Sequence, residues 1–146
     1  MMAVERRAKA TWEGDLMGGL GEVSTESGVV ENATVKWSSR AEQKDENTSP
    51  EELIAAAHAT CVSMALAHGL AEGGTHAKRL ESEATATFDR AGDGFRMTTM
   101  RISIRGQVEG LDEDAFRRAA EDAKENCPVS QALKGNVDVS VDAALS

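Results

Sequence analysis

The chain has 146 residues, which favours a single domain over residues 1–146 with one hydrophobic core. Its formal net charge of −9 argues against a nucleic-acid-binding surface, which needs clustered Lys and Arg, and against binding to anionic membranes. Aromatic residues make up only 3% of the sequence, so the core must be mainly aliphatic, and a core with few large side chains favours further burial in a dimer. We therefore expect neither a nucleic-acid nor a membrane partner.

Residues 1–9 are positively charged, but no apolar stretch follows them, and no run elsewhere approaches about 20 consecutive apolar residues. A cytoplasmic location is therefore expected. Cys61 and Cys127 are the only cysteines. In a reducing compartment they are not expected to form a permanent disulfide, which leaves a catalytic, a transient or an unpaired role.

The N-terminal third of the chain predicts a small antiparallel sheet. Residues 9–12, 21–25 and 34–37 alternate apolar with polar side chains, and turns that contain Gly or Asn separate them. Alternation of this kind is typical of strands that bury one face.

A long helix is predicted to begin at residue 49. Ser49 is a suitable N-cap, Pro50 suits the first helical position, and Glu52 completes a capping box. The apolar residues that follow extend to about Leu70, and the glycines at 73–74 end the helix. A helix this apolar is expected to be largely buried.

The second half of the chain predicts a long β-hairpin from residues 79–90 and 95–109. A helix over 113–126, a short helical turn over 130–134 and an edge strand over 136–143 complete the order βββ-α-ββ-α-β. This order predicts an α+β fold in which antiparallel sheets wrap around a central buried helix.

The two cysteines occupy different settings. Cys61 lies within the long helix, whereas Cys127 precedes Pro128 and is expected at a break between helices. A thiol is nucleophilic as the thiolate, which requires a nearby cation or a comparable stabilising group. Arg40 is the candidate cation; the alternatives are a solvated charge at a strand end for Arg40 and an inert buried thiol for Cys61.

Glu51 and Cys61 are ten residues apart on one helix, which separates them by about 15 Å along its axis. Glu51 has a simpler role available, because carboxylates in the first turn complement the helix dipole. If Glu51 serves the same site as Cys61, the site must be shared between two chains of a dimer.

A metal site is the less favoured interpretation of the same helix. His58, Cys61 and His68 lie near one helical face, but further ligands would have to come from elsewhere. Histidines on an Ala-rich helix more often belong to a core or an interface. No metal and no cofactor are therefore predicted.

Two segments resemble a known family. TSPEELIAAAHATCVSMAL at 48–66 and CPVSQAL at 127–133 are similar to the OsmC/Ohr family of thiol peroxidases, and WEGD at 12–15 and VSTESG at 23–28 extend the likeness over nearly the whole chain. Val129 occupies a position where the Ohr branch usually has an aromatic residue, which favours the OsmC branch.

The resemblance implies an intertwined homodimer with two sites at the subunit interface. It makes Cys61 the peroxidatic cysteine, Cys127 the resolving cysteine, Arg40 the activating arginine and Glu51 the carboxylate that orients it. The loop from Arg40 to Pro50 is one residue longer than the family pattern, and Lys36 is the fallback cation.

The activity implied is a thiol-dependent reduction of organic hydroperoxides and hydrogen peroxide in oxidative or osmotic stress defence. Cys61 would become a sulfenic acid, Cys127 would condense with it to a disulfide, and an external thiol or dithiol would reduce that disulfide. Two other interpretations stay open. The chain could be a redox sensor that uses the same thiols, or a dimeric small-ligand-binding module with incidental cysteines.

Overall fold

The computed structural model describes residues 1–42 and 45–146. The chain forms two compact units, residues 1–50 and residues 51–146. The single domain expected over residues 1–146 stays a prediction.

The first unit contains a three-stranded antiparallel sheet in the order β1-β2-β3. Its strands are β1 (Ala8–Glu13), β2 (Leu20–Thr25) and β3 (Ala33–Val35). Gly28 forms part of the turn after β2 with φ of +79°, a conformation that glycine adopts without strain. The three predicted strands are confirmed.

The end of the third strand was predicted wrongly. β3 ends at Val35, and a short helix, α1 (Trp37–Ala41), begins where the strand was expected to continue. Lys36 is the extended residue before this helix. Alternation over four residues is too short to distinguish a strand end from the first turn of a helix. Arg40 therefore lies on a helix and not at the end of a strand.

The long helix α2 (Pro50–Glu72) begins at the predicted proline. It ends before Gly73 and Gly74, where the Thr75 N–H donates to the Leu70 carbonyl at 2.9 Å. Although α2 is not an unbroken apolar run, it is long and apolar enough to cross a membrane by length and composition alone. Helices in protein cores meet the same criterion, so this finding is weak evidence for a membrane span.

One row of α2 is buried: His58, Val62, Leu66 and Leu70, spaced four residues apart. The expectation that the helix is largely buried is wrong for the single chain, because only 28% of its most apolar stretch is buried. Met64, an apolar residue of this helix, is 68% exposed.

The second unit contains a long hairpin of β4 (Ala77–Ala91) and β5 (Gly94–Val108), as predicted. Two helices follow, α3 (Glu113–Asn126) and α4 (Pro128–Leu133), and β6 (Asp138–Leu145) is the last strand.

The last strand pairs differently from the expectation. β6 lies beside β5 in a parallel orientation, so the second sheet, in the order β4-β5-β6, is mixed and not antiparallel throughout. The chain between β5 and β6 passes through α3 and α4, and a crossover of this kind returns a strand in the parallel direction.

The core of the second unit joins α2, α3, β5 and β6. Besides the buried row of α2, its buried apolar residues come from β5, α3, β6 and the junction after α3. They are Met100, Ile102, Ile104, Phe116, Ala120, Ala123, Cys127 and Ala143. The backbone of β5 approaches α3 closely, since a Cβ on Gly106 would lie 2.5 Å from the Phe116 ring. The α+β class predicted from the sequence is confirmed.

Candidate functional site

Cys127 lies at the junction of α3 and α4. Its φ and ψ of −62° and 125° are extended, which is the conformation that a following proline favours. Its N–H donates to the Ala123 carbonyl at 2.9 Å, and its carbonyl accepts from the Gln131 N–H at 3.0 Å. Cys127 is therefore both the C-cap of one helix and the N-cap of the next, and it is fully buried.

The structure brings Cys127 and Cys61 together. The two thiols lie close enough for Cys127 to raise the pKa of Cys61, and the Val129 backbone N–H lies close enough to lower it. The two thiols are free and Cys61 is partly exposed. A buried thiol thus lies against a partly exposed one, an arrangement suited to forming a disulfide after the exposed thiol is oxidised.

The surroundings of Cys61 in the second unit favour its protonated form. Burial raises the pKa of the Cys61 thiol above its ordinary value, and the neighbouring Cys127 thiol raises it further, while the Val129 N–H opposes these effects. Nucleophilic reactivity requires the thiolate. The contacts within the second unit therefore bring the thiols together without activating Cys61.

Sequence reasoning missed the buried contact between His58 and Ser130. Nε2 of His58 and Oγ of Ser130 lie 2.7 Å apart and share a hydrogen bond. His58 is fully buried, and burial lowers its pKa. The sequence suggested a core, interface or metal-ligand role for His58, and it placed Ser130 only in a short helical turn and in the family motif. Their positions, three residues before Cys61 and three after Cys127, were the available signal.

Arg40 and Lys36 both line a surface cavity of about 270 Å³ in the first unit. The other lining residues are predominantly apolar: Trp12, Leu16, Val35, Trp37 and Pro50. This places a guanidinium and an ammonium group next to apolar surface. The pairing of Arg40 with Cys61 stays a prediction.

Glu51 is in the first turn of α2 and is 9% exposed. Buried carboxylates are uncommon unless they are paired. Along the helix axis it lies about 15 Å from Cys61, so the two side chains do not meet on one chain. Its role as an orienting carboxylate stays a prediction.

The histidines of α2 do not form a metal cluster with other residues. In the part of the chain that the structure describes, no group of three or more His, Cys, Asp or Glu could hold a metal ion. His58 points to Ser130, and His68 is exposed.

Comparison with known proteins identifies the family. The family model described as OsmC-like protein matches residues 43–142. The chain is 39% identical over 136 residues to peroxiredoxin OsmC of Escherichia coli strain K12, covering 93% of this chain and 94% of that protein. It is 29% identical over 136 residues to the organic hydroperoxide resistance protein OhrB of Bacillus subtilis, covering 92% and 95%.

Solved structures show the same fold. The crystal structure of Bacillus subtilis OhrB matches with a TM-score of 0.73 and 28% identity, covering 94% of this chain and 97% of that one. An OsmC protein from Legionella pneumophila matches with a TM-score of 0.74 at 22% identity, covering 98% and 99%, and supports the fold alone. The greater identity to OsmC than to OhrB agrees with Val129 after Pro128, which favours the OsmC branch. The chain belongs to the OsmC branch of the OsmC/Ohr family.

Proposed function

We propose that the chain is a cysteine-based peroxidase that reduces organic hydroperoxides and hydrogen peroxide through Cys61 and Cys127. The observation that supports this most directly is the proximity of the two free thiols, since Cys61 packs against the core that contains Cys127 and Cys127 perturbs its pKa. Membership of a family whose named members are peroxiredoxins and organic hydroperoxide resistance proteins supports the same reaction class.

In the first step, the Cys61 thiolate attacks the distal oxygen of the peroxide. A sulfur–oxygen bond forms, the oxygen–oxygen bond breaks, and the proximal oxygen leaves with a proton as an alcohol or water. In the second step, the Cys127 sulfur attacks the sulfenic sulfur, the disulfide forms, and the sulfenic oxygen leaves as water. An external thiol or dithiol then reduces the disulfide by exchange.

Activation of Cys61 requires a cation, because its pKa is raised by its neighbours in the second unit. Arg40 is the proposed cation, since a planar guanidinium can stabilise a thiolate and donate to a peroxide oxygen together. Lys36, which lines the same cavity, is the fallback. Glu51 is proposed to orient the cation.

A homodimer is proposed as the functional form. A carboxylate about 15 Å along α2 from Cys61 can serve the same site only from a second chain. The largely uncovered apolar surface of α2, 28% buried over its most apolar stretch, is suited to such an interface. A role in cytoplasmic oxidative or osmotic stress defence belongs to the same proposal.

The test is steady-state turnover of cumene hydroperoxide and hydrogen peroxide with a dithiol reductant. Native protein should turn over many times, Cys61→Ser should be inactive, and Cys127→Ser should accumulate oxidised Cys61. A redox sensor would form the disulfide without rapid repeated turnover. A ligand-binding module would show two unreactive thiols, and either result would contradict the proposal.

A further inference from the structure

The hydrogen bond between His58 and Ser130 is a buried polar contact that the proposed cysteine chemistry does not use. The two atoms are 2.7 Å apart, His58 is fully buried, and Ser130 is 8% exposed. The other ring nitrogen, Nδ1, is buried and has no hydrogen-bond partner among the described residues. The contact with Ser130 therefore fixes the orientation of the imidazole.

This contact lies one helical turn from the two thiols. His58 precedes Cys61 by three residues on α2, so the two side chains lie on neighbouring positions of one face. Ser130 follows Cys127 by three residues in the first turn of α4, and the neighbouring Val129 N–H lies close enough to Cys61 to affect its pKa. The hydrogen bond with His58 therefore attaches the first turn of α4 to α2 beside the two thiols.

We propose that His58 and Ser130 are positioning residues for the resolving step, in which their hydrogen bond keeps Cys127 within reach of the oxidised Cys61. The proposal rests on the two-cysteine function above. The step it concerns joins the Cys127 sulfur to the sulfenic sulfur of Cys61, with the sulfenic oxygen and a thiol proton leaving as water.

The geometry of a disulfide explains why such a contact matters. The two Cα atoms must lie within about 4.4 to 6.8 Å, so small movements of α4 away from α2 prevent the bond. Formation of the sulfenic acid alters the contacts that the Cys61 sulfur makes with Cys127 and Val129. The hydrogen bond between His58 and Ser130 does not involve that sulfur and can hold α4 in place throughout.

Four variants separate positioning from general packing. Ser130→Ala removes the hydroxyl, and His58→Asn places an amide near the position of Nδ1, too short to reach Ser130. His58→Gln places an amide nitrogen near the position of Nε2 and should restore the contact. His68→Asn, on the exposed side of the same helix, is the matched control.

The experiment measures the two steps separately by rapid quenching and mass spectrometry after adding one equivalent of cumene hydroperoxide. Ser130→Ala and His58→Asn should form the Cys61 sulfenic acid at the native rate and form the disulfide about fivefold more slowly, the effect of losing one hydrogen bond. His58→Gln and His68→Asn should form the disulfide at the native rate. With excess peroxide, the two slow variants should yield more sulfinic acid on Cys61.

A second readout does not depend on peroxide. Glutathione disulfide converts Cys61 into a mixed disulfide, and attack by Cys127 then releases glutathione and closes the Cys61–Cys127 bond. The same two variants should slow this release about fivefold. Unchanged release in folded Ser130→Ala and His58→Asn would overturn the positioning role. A different result would overturn the proposed peroxidase function alone. In that case native protein would not react with peroxide, while Ser130→Ala and His58→Asn would still release glutathione more slowly than native protein.

Discussion

At the scale of single residues, the state of the Cys61 thiol depends on groups that the structure identifies. Burial raises its pKa most, the neighbouring Cys127 thiol raises it further, and the Val129 N–H lowers it. Cys127 therefore opposes ionisation of Cys61 while both residues are thiols. A cation placed near the Cys61 sulfur would act in the opposite direction.

Replacement of Cys127 by Ala should lower the pKa of Cys61, because it removes two of the effects that raise it. The measurement is the pH dependence of iodoacetamide alkylation at Cys61, followed site by site by mass spectrometry in reduced protein. The midpoint should shift to lower pH in Cys127→Ala. A midpoint that is unchanged or higher would show that the contact with Cys127 does not hold Cys61 protonated.

His58 should make stability depend on pH. Burial lowers its pKa in the folded state, so between that value and about 6.5 the unfolded chain binds more protons. The free energy of unfolding should therefore fall as the pH drops below about 6.5, with a slope of at most about 1.4 kcal/mol per pH unit from this group. Denaturant titrations from pH 8 to 5 should show this component in native protein, and it should be absent from His58→Gln.

At the scale of secondary-structure elements, α2 and α3 were predictable because specific residues determine their ends. Pro50 begins α2, glycines follow its last residue, and Asp112 caps α3 by accepting from the Ala115 N–H at 2.8 Å. The end of β3 and the direction of β6 were not predictable. A four-residue alternation fits two structures, and strand direction depends on the route that the connecting helices take.

Packing between β5 and α3 requires a glycine at position 106. A Cβ there would lie 2.5 Å from the Phe116 ring, whose position in the core leaves it little room to move. Gly106→Ala should therefore lower the free energy of unfolding by about 1 to 3 kcal/mol. Gly69→Ala is the matched control, because Gly69 is helical and has nothing within 4 Å of the added Cβ. This change should raise stability by about 0.5 to 1 kcal/mol, and equal losses in both variants would contradict the packing argument.

At the scale of the whole molecule, the sequence predicted that Cys61 and Cys127 act together, and their catalytic roles stay predictions. Cys61 and Cys127 are distant in sequence but adjacent in the structure, and the helix break before Pro128 indicated where Cys127 lies. The hydrogen bond between His58 and Ser130 could not be predicted from the sequence, because bonds between distant elements leave no periodic pattern in it. The contributions of Arg40 and Glu51 depend on assembly and remain predictions.

Complementation tests whether the site is shared between chains. Glu51→Ala and Cys61→Ser should each have little activity when alone. If Glu51 of one chain serves Cys61 of the other, unfolding and refolding an equimolar mixture of the two variants should restore about a quarter of native activity. Half of the dimers formed are mixed, and each mixed dimer has one complete site of its two. Sedimentation should show a dimer for every variant. A mixture without restored activity would place Glu51 outside the partner's site.

The central claim is that peroxide oxidises Cys61 and that Cys127 resolves the product. The most direct measurement is peptide mass spectrometry of reduced protein treated with one equivalent of cumene hydroperoxide and then blocked. Native protein should contain a Cys61–Cys127 disulfide, and Cys127→Ser should contain a sulfenic acid on Cys61. Recovery of both thiols unmodified in native protein, or oxidation that first appears at Cys127, would contradict the account.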